Sequence, residues 1–213
     1  MFILPGALFC GETSLEFLDK RPSPTVFYLV RHGQTDWNIE KRLQGQSDIP
    51  LNDAGRAEAA LLSEKLDGVA FTACFASDLQ RAAETAKILS TARSFPVKLD
   101  HRLRERNFGP WEGHLASEFM ASLEQGQQLV AVETDEAIQQ RVFPCLNEIA
   151  DLFPGATVLI VTHGGVIRSL LAQLLSFDCS SIFDIQVKNM ALLQLSFSDG
   201  QCEIQEMAGI QIP

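Results

Sequence analysis

The amino-acid sequence predicts an α/β fold, a three-layer sandwich whose mostly parallel central sheet has helices on both faces and an antiparallel edge. Apolar segments at 25–30, 71–76 and 157–161 contain almost no polar residues, as expected of strands that are buried on both faces. Segments with helical spacing of apolar residues alternate with these strands along the chain. A closing pair of apolar segments around a Ser-Asp-Gly turn predicts the antiparallel edge.

Boundary signals support the individual elements. Asn52 and Asp53 offer an N-cap for a helix over 54–66, and Asp78 is predicted to cap a second helix that runs to residue 91. The remaining predicted elements are a peripheral strand at 96–99, a helix at 134–152 that Pro144 should kink, a helix at 165–175, and a hairpin pairing 191–197 with 202–205.

The length of 213 residues predicts one domain, over 25–213, preceded by an N-terminal extension at 1–24. The extension begins with an apolar segment, but no basic residue precedes it and Pro5 and Gly6 interrupt it, so we expect no signal peptide. No apolar run reaches the roughly 18 residues that a membrane span needs.

Net charge indicates which classes of partner the protein does not bind, and cysteine content indicates its cellular compartment. Lys and Arg total 17 and Asp and Glu total 27, and 17 − 27 gives a net charge of −10. A chain this acidic repels nucleic acid and anionic membranes, so we expect neither as a partner. The five cysteines form no Cys-x-x-Cys pair and lie mostly in apolar runs, which favours free thiols in the cytoplasm.

Cationic and imidazole side chains collect where the predicted strands end. Arg31 and His32 follow the first strand, Arg81 follows the second, and His163 follows the strand at 157–161. The carboxyl ends of strands in such sheets are where ligands bind. Two arginines can each bind phosphate oxygens in bidentate fashion, and their charge keeps a nearby imidazole unprotonated and therefore nucleophilic. A second imidazole can stabilise charge on the group being transferred.

Phosphoryl transfer also needs an acid to protonate the leaving oxygen. Glu105 is the best candidate, because it lies in a glycine-punctuated segment between predicted elements, and a nearby phosphate dianion would favour its protonated form. Glu112, seven residues further along, is the rival acid.

Four motifs in a fixed order resemble those of the histidine phosphatase superfamily, the phosphoglycerate mutase-like proteins. The motifs are residues 29–35 (LVRHGQT) with Asn38, residues 77–86 (SDLQRAAETA), residues 103–105 (LRE) with 109–113 (GPWEG), and residues 161–165 (VTHGG). The resemblance covers residues 25 to 200 and implies an α/β sandwich that acts without a metal or any other cofactor.

The resemblance also implies roles for single residues. It makes His32 the residue that is phosphorylated, and Arg31, Arg81 and His163 the residues that bind the phosphoryl group. It makes Glu105 the proton donor. The positions that it implies contact the substrate or line its pocket are Thr35, Asn38, Gln44, Gly45 and Gly164.

Other functions fit the sequence less well. An esterase needs a Gly-x-Ser-x-Gly elbow, and the segment 45–49 lacks its second glycine. The four histidines have no spacing typical of a metal hydrolase, and His101 and His114 are predicted to be surface residues. The basic segment 102–106 suggests a solvated loop or a substrate contact. A phosphate-binding protein without turnover stays open as the non-enzymatic alternative.

Within the superfamily, the choice lies between a phosphatase and a mutase. Only 163 − 105 − 1 = 57 residues separate Glu105 from His163, and after Arg106 they hold eight acids with Arg141 as the one Lys or Arg. We expect these acids to form an acidic cap over the pocket, which disfavours a bisphosphorylated substrate. The prediction is therefore hydrolysis of a small metabolite carrying a single phosphate, with a mutase as the alternative and the oligomeric state, including a dimer, left open.

Overall fold

The computed structural model describes residues 23–91, 93, 95–127, 130–176, 183–198 and 200–213, so all but the last two residues of the predicted extension lie outside the described residues. Six strands form one sheet in the order β3-β2-β4-β1-β5-β6. The strands are β1 (Thr25–Arg31), β2 (Ala73–Ala76), β3 (Val97–Leu99), β4 (Thr157–Thr162), β5 (Gln186–Ser198) and β6 (Gln201–Gln211).

Parallel pairing dominates the sheet, as predicted. Strand β4 pairs in parallel with β1 and β2, and β2 pairs in parallel with β3. Strands β5 and β6 form the antiparallel edge, with β5 antiparallel to β1. Both of these strands are longer than predicted. In β6 most residues are exposed, so the strand lacks the apolar pattern of a buried one.

Helices connect the strands. They are α1 (Asp36–Ile39), α2 (Asp53–Lys65), α3 (Gln80–Ser90), α4 (Ala116–Glu124), α5 (Asp135–Leu152) and α6 (Gly164–Leu174). The predicted cap of α2 is confirmed, since the Asn52 side chain accepts a hydrogen bond from the backbone N–H of Gly55 at 2.9 Å. The predicted cap at Asp78 is wrong. Leu79 occupies that position without a side-chain bond, because the Asp78 carboxylate accepts two hydrogen bonds from Arg104 instead.

Apolar side chains of β4 alternate between two cores on opposite faces of the sheet. Val158 and Ile160 pack in a cluster with residues of α5 and α6, whereas Leu159 and Val161 pack with residues of α3. This period of two places helices on both faces and gives the predicted three layers. In the part of the chain that is described, no helix combines the length and the apolarity needed to cross a membrane.

Candidate active site

Three neighbouring strands end at the same edge of the sheet and deliver the predicted side chains. His32 follows β1, His163 follows β4, and Arg81 is the second residue of α3, which comes after β2. The ring centroids of His32 and His163 lie 5.2 Å apart, and both rings are buried. The structure therefore brings together the imidazoles that the sequence separates by more than a hundred residues.

A cavity of about 380 Å³ opens over this edge of the sheet. We call Arg31, His32, Arg81, Glu105 and His163 the inner end of the site. We call Phe108, Ala116, Phe119 and Met120, which line the same cavity, its outer wall.

Buried polar atoms without a hydrogen-bond partner collect at the inner end. Among the described residues these atoms are Nε of Arg31, Nε of Arg81 and both ring nitrogens of His163, while Gln44 on the cavity lining and Ser90 supply one such oxygen each. A buried polar atom without a partner costs about 1–3 kcal/mol. The two guanidinium N–H groups and the single N–H of a neutral His163 ring together indicate a ligand that offers several acceptor oxygens.

The surroundings of His32 leave its ring neutral and one of its nitrogens without a proton. Its Nδ1 lies 2.7 Å from the carbonyl oxygen of Gly33, which assigns the proton to Nδ1 and leaves the lone pair on Nε2. Burial, followed by the charges of Arg81 and Arg31, holds the pKa of His32 well below its usual range. The imidazole is therefore neutral, and nucleophilic, at neutral pH. His163 has its pKa lowered in the same way, by burial first and then by Arg81.

Backbone carbonyls fix the orientation of both guanidinium groups. Arg81 donates from Nη1 to the carbonyl of Ser47 at 2.8 Å and from Nη2 to that of Gly45 at 2.7 Å. Arg31 donates from Nη1 to the carbonyl of Val187. Burial lowers the pKa of each arginine to about 10, so both remain cations at neutral pH. Carbonyl partners leave these charges unneutralised, in contrast to carboxylate partners.

Glu105 is held by the backbone at the start of α6. Its Oε2 accepts from the N–H of Gly165 at 3.1 Å, and its Oε1 accepts from the N–H of Arg106 at 2.8 Å. A Cβ atom at position 165 would lie 2.2 Å from Oε1, so only glycine leaves room for the carboxylate there. The carboxyl group thus lines the cavity in a fixed position.

Thr35 and Asn38 form a reciprocal cap at the start of α1. Thr35 donates from its backbone N–H and its hydroxyl to Oδ1 of Asn38, each at 3.1 Å. Asn189, which sequence analysis missed, donates from Nδ2 to the same oxygen at 3.2 Å and to the carbonyl of His32 at 3.1 Å. Three donors occupy Oδ1, so a ligand in the cavity that Asn38 lines would be bound by its NH₂ group. Thr35 does not line the cavity and instead positions Asn38.

The remaining residues predicted to contact the substrate are Gln44, Gly45 and Gly164. Gln44 and Gly45 line the cavity, and Gly45 has the left-handed φ of 52° that favours glycine. Gly164 begins α6, and a Cβ atom there would lie 3.4 Å from Nε of Arg31. It therefore packs against the guanidinium group instead of lining the cavity.

The predicted acidic cap is wrong. None of the eight acids between residues 106 and 162 lines the cavity, which this segment covers with the outer wall. The acids nearest the site bind protein groups instead: Glu112 accepts from backbone N–H groups, Glu133 pairs with Arg141, and Asp135 pairs with Arg106. Pairing a carboxylate in a partly buried place avoids the cost of leaving it unsolvated, so the sequence count of acids does not measure the charge of the cavity.

The basic segment 102–106 is also not a solvated loop face. Arg102 pairs with Asp100 and Glu148, while Arg104 pairs with Asp78. Arg106 is buried and lines the cavity beside the Phe183 ring.

Three further cations line the cavity and were missed by sequence analysis: Lys41, Arg42 and Arg168. Arg168 is the single charged residue in α6, and it donates from Nε to the carbonyl of Ile185 at 2.8 Å. A lone arginine in an otherwise apolar helix is the signal that could have revealed it. The cavity is therefore cationic, although the chain is acidic.

The two remaining histidines lie away from the site. The side chains of His101 and His114 are 78% and 57% exposed, which confirms the surface prediction. Within the described residues, no three His, Cys, Asp or Glu side chains gather as a metal site would require.

Comparison with known proteins identifies the family. The sequence model of the histidine phosphatase superfamily (branch 1) matches residues 27–209. A Cronobacter sakazakii protein named "Probable phosphoglycerate mutase GpmB" is 32% identical over 182 residues, which cover 80% of this chain and 84% of that protein.

Solved structures give the same result. Bacillus stearothermophilus YhfR is similar with a TM-score of 0.77 and 32% identity, covering 84% of this chain and 95% of that one. The mycobacterial glucosyl-3-phosphoglycerate phosphatase is similar with a TM-score of 0.75 and 28% identity, covering 85% of this chain and 97% of that one. The chain belongs to the histidine phosphatase superfamily.

Proposed function

We propose that this protein hydrolyses a phosphomonoester through a phosphohistidine intermediate on His32. The observation that carries the proposal is the group of partnerless buried nitrogens on Arg31, Arg81 and His163 around a neutral imidazole. A phosphoryl group offers these donors the oxygens that the protein itself does not supply. The two guanidinium charges match those of one phosphate dianion.

In the first step, Nε2 of His32 attacks the phosphorus atom while the bond from phosphorus to the leaving oxygen breaks. Arg31, Arg81 and His163 stabilise the charge on the phosphoryl oxygens during the transfer. Glu105 gives its proton to the leaving oxygen, which departs as an alcohol. The products of this step are the alcohol, phosphorylated His32 and the Glu105 carboxylate.

In the second step, a water molecule attacks the phosphorus atom of phosphohistidine. The Glu105 carboxylate takes a proton from that water, and the bond from phosphorus to Nε2 breaks. Inorganic phosphate leaves, and both His32 and Glu105 return to their starting protonation states. One group can act as acid and then as base because the first step leaves it deprotonated.

The cavity supports a small metabolite as substrate. Its volume of about 380 Å³ lies at the lower end of the range of about 300–1,000 Å³ for small-molecule sites. The outer wall offers apolar contacts to the organic part of the substrate. Free thiols at Cys74, Cys145 and Cys202 support a location in the reducing cytoplasm.

A mutase is the second candidate. Lys41, Arg42 and Arg168 give the cavity positive charge beyond what one phosphoryl group requires, and the Cronobacter sakazakii relative is named as a mutase. A mutase returns the phosphoryl group from histidine to the bound product and so excludes water.

One experiment separates the two activities. The enzyme is incubated with 3-phosphoglycerate, with and without 2,3-bisphosphoglycerate, and both inorganic phosphate and 2-phosphoglycerate are measured. A panel of other phosphomonoesters is assayed for phosphate release in parallel. Release of phosphate without isomer formation supports the hydrolase, whereas formation of 2-phosphoglycerate faster than phosphate release supports the mutase. Rapid-quench trapping of phosphohistidine on His32 tests the intermediate that both share.

A further inference from the structure

Glu112 lies close to the site but does not line the cavity, and its carboxylate is fully occupied. Its Oε1 accepts from the backbone N–H of Gln46 at 2.9 Å and from that of Phe108 at 3.3 Å. Its Oε2 accepts from the backbone N–H and the hydroxyl of Ser47, at 2.8 and 2.6 Å. All four of these donors belong to the protein, and the Glu112 side chain does not line the cavity in which a leaving oxygen would need a proton. This placement disfavours Glu112 as the rival acid.

The segment that Glu112 holds is the one that orients Arg81. The backbone N–H groups of Gln46 and Ser47 donate to Glu112, and the carbonyls of Gly45 and Ser47 accept from the two terminal nitrogens of Arg81. These bonds fix the plane of the guanidinium group and leave Nε buried without a protein partner. The orientation of this phosphate-binding group thus depends on where residues 45–47 lie.

Packing leaves this arrangement little freedom. Gly45 has a φ of 52°, and a Cβ atom at that position would lie 2.1 Å from Oε1 of Glu112. The carboxylate and the backbone of residues 45–47 therefore touch directly. The negative charge of Glu112 also opposes the lowering of the pKa of Arg81 by burial.

We propose that Glu112 is a positioning residue, which holds residues 45–47 so that their carbonyls aim Arg81 at the phosphoryl group. The proposal rests on the proposed function, because it assigns Arg81 to phosphate binding. Glu112 itself does not touch the substrate. Its effect is transmitted by the backbone of residues 45–47.

The test measures binding of inorganic phosphate and orthovanadate by calorimetry, together with KM and kcat for an alkyl and an aryl phosphate. Glu112→Ala removes the acceptor for all four donors and should weaken phosphate binding about tenfold, since a charge-assisted contact is lost when Arg81 turns away. KM should rise by a similar factor for both substrates. Ser47→Ala, which removes one bond and keeps the carboxylate, should give a smaller change in the same direction and serves if Glu112→Ala does not fold.

Glu118→Gln is the matched control. Glu118 lies in the same part of the chain and also caps a backbone N–H, that of Leu115, but it has no contact with residues 45–47. This variant should bind phosphate like the wild type. The thermal unfolding temperature of every variant is recorded, so that a general loss of stability is recognised.

A double-mutant cycle identifies the route of the effect. In an Arg81→Lys background, Glu112→Ala should cost little further binding, because the group that it positions is already gone. Three outcomes would overturn the positioning role: an equal loss of phosphate binding in both backgrounds, unchanged phosphate binding in Glu112→Ala, or a loss of activity confined to the alkyl phosphate.

The proposed function fails by a different outcome, namely a wild-type protein that does not bind phosphate at all. The two proposals can therefore fail separately.

Discussion

The inner end and the outer wall share one cavity but use their polar groups differently. At the inner end, Arg31, Arg81 and His163 keep buried nitrogens without protein partners. Along the segment that carries the outer wall, Glu112 and Glu133 bind N–H groups or arginines and do not line the cavity. Partnerless buried groups are costly and persist where a ligand satisfies them. The difference supports the proposal that the chemistry takes place at the inner end and that the acids of the wall segment have a structural role.

Replacement of the nucleophile should have the largest effect. His32→Ala should reduce kcat to less than about a hundredth of the wild-type value, because no other group at the inner end can form the covalent intermediate. His101→Ala, which changes an exposed histidine away from the site, should leave kcat unchanged. Steady-state assays and trapping of the phosphoenzyme measure both variants. Turnover above that level in His32→Ala would remove His32 from the nucleophile role.

The two glutamates of the same segment should differ in how they respond to the leaving group. Glu105→Gln should slow an alkyl phosphate by about 10²–10⁴ and p-nitrophenyl phosphate much less, since only the strongly basic alkoxide needs a proton to leave. Glu112→Gln should affect both substrates to the same extent. The measurement is kcat/KM for both substrates in both variants, because this ratio reports on the departure of the alcohol and not on the later hydrolysis of phosphohistidine, which both substrates share. Equal losses for both substrates in Glu105→Gln, or a selective loss in Glu112→Gln, would show that the acid is misassigned.

The sequence predicted the inner end better than the outer wall for a physical reason. Strand β4 is buried on both faces, so its apolar run and its end at His163 are visible without a structure. The same argument applies to His32, because it directly follows the apolar strand β1. The pairing of Glu112 with residues 45–47 joins parts of the chain that are more than sixty residues apart, and no local pattern encodes it.

One other error has the same origin. Asp78 has a residue type typical of a helix cap, but a bidentate contact with Arg104 outcompetes the capping bond. Local preference gave way to tertiary contact at this position.

Helix α4 was also missed. Its Ala, Glu, Leu and Met residues favour a helix, so tertiary contact does not explain that omission.

Acid should destabilise the inner end through its two buried histidines. Burial keeps the folded-state pKa of His32 and His163 well below the unfolded value of about 6.5, so below that pH the unfolded chain takes up protons that the folded chain does not. Stability is therefore lost as the pH falls from 6.5 towards the folded pKa. Between pH 7.5 and 5.5 each histidine should lower the free energy of unfolding by about 1.4 kcal/mol.

Urea unfolding of the phosphate-free protein at both pH values measures this loss. His163→Gln should reduce the pH-dependent part by about half, because one of the two buried imidazoles is gone. His114→Gln, an exposed histidine, is the control and should keep the full dependence. An equal pH dependence in wild type and His163→Gln would show that the buried ring does not titrate as proposed.

Removal of metal ions should have the smallest effect, namely none. Arg31 and Arg81 provide fixed positive charge at the inner end, where a metal-dependent phosphatase would use divalent cations to neutralise phosphate oxygens. Activity after dialysis against EDTA should therefore stay within about twofold of the untreated enzyme. A zinc-dependent phosphatase treated in parallel confirms that chelation was complete. If EDTA abolished activity and Mg²⁺ or Zn²⁺ restored it, the guanidinium groups alone would not suffice to neutralise the phosphate oxygens. The cavity would then have to contain a metal-binding site, either at the inner end or at the outer wall.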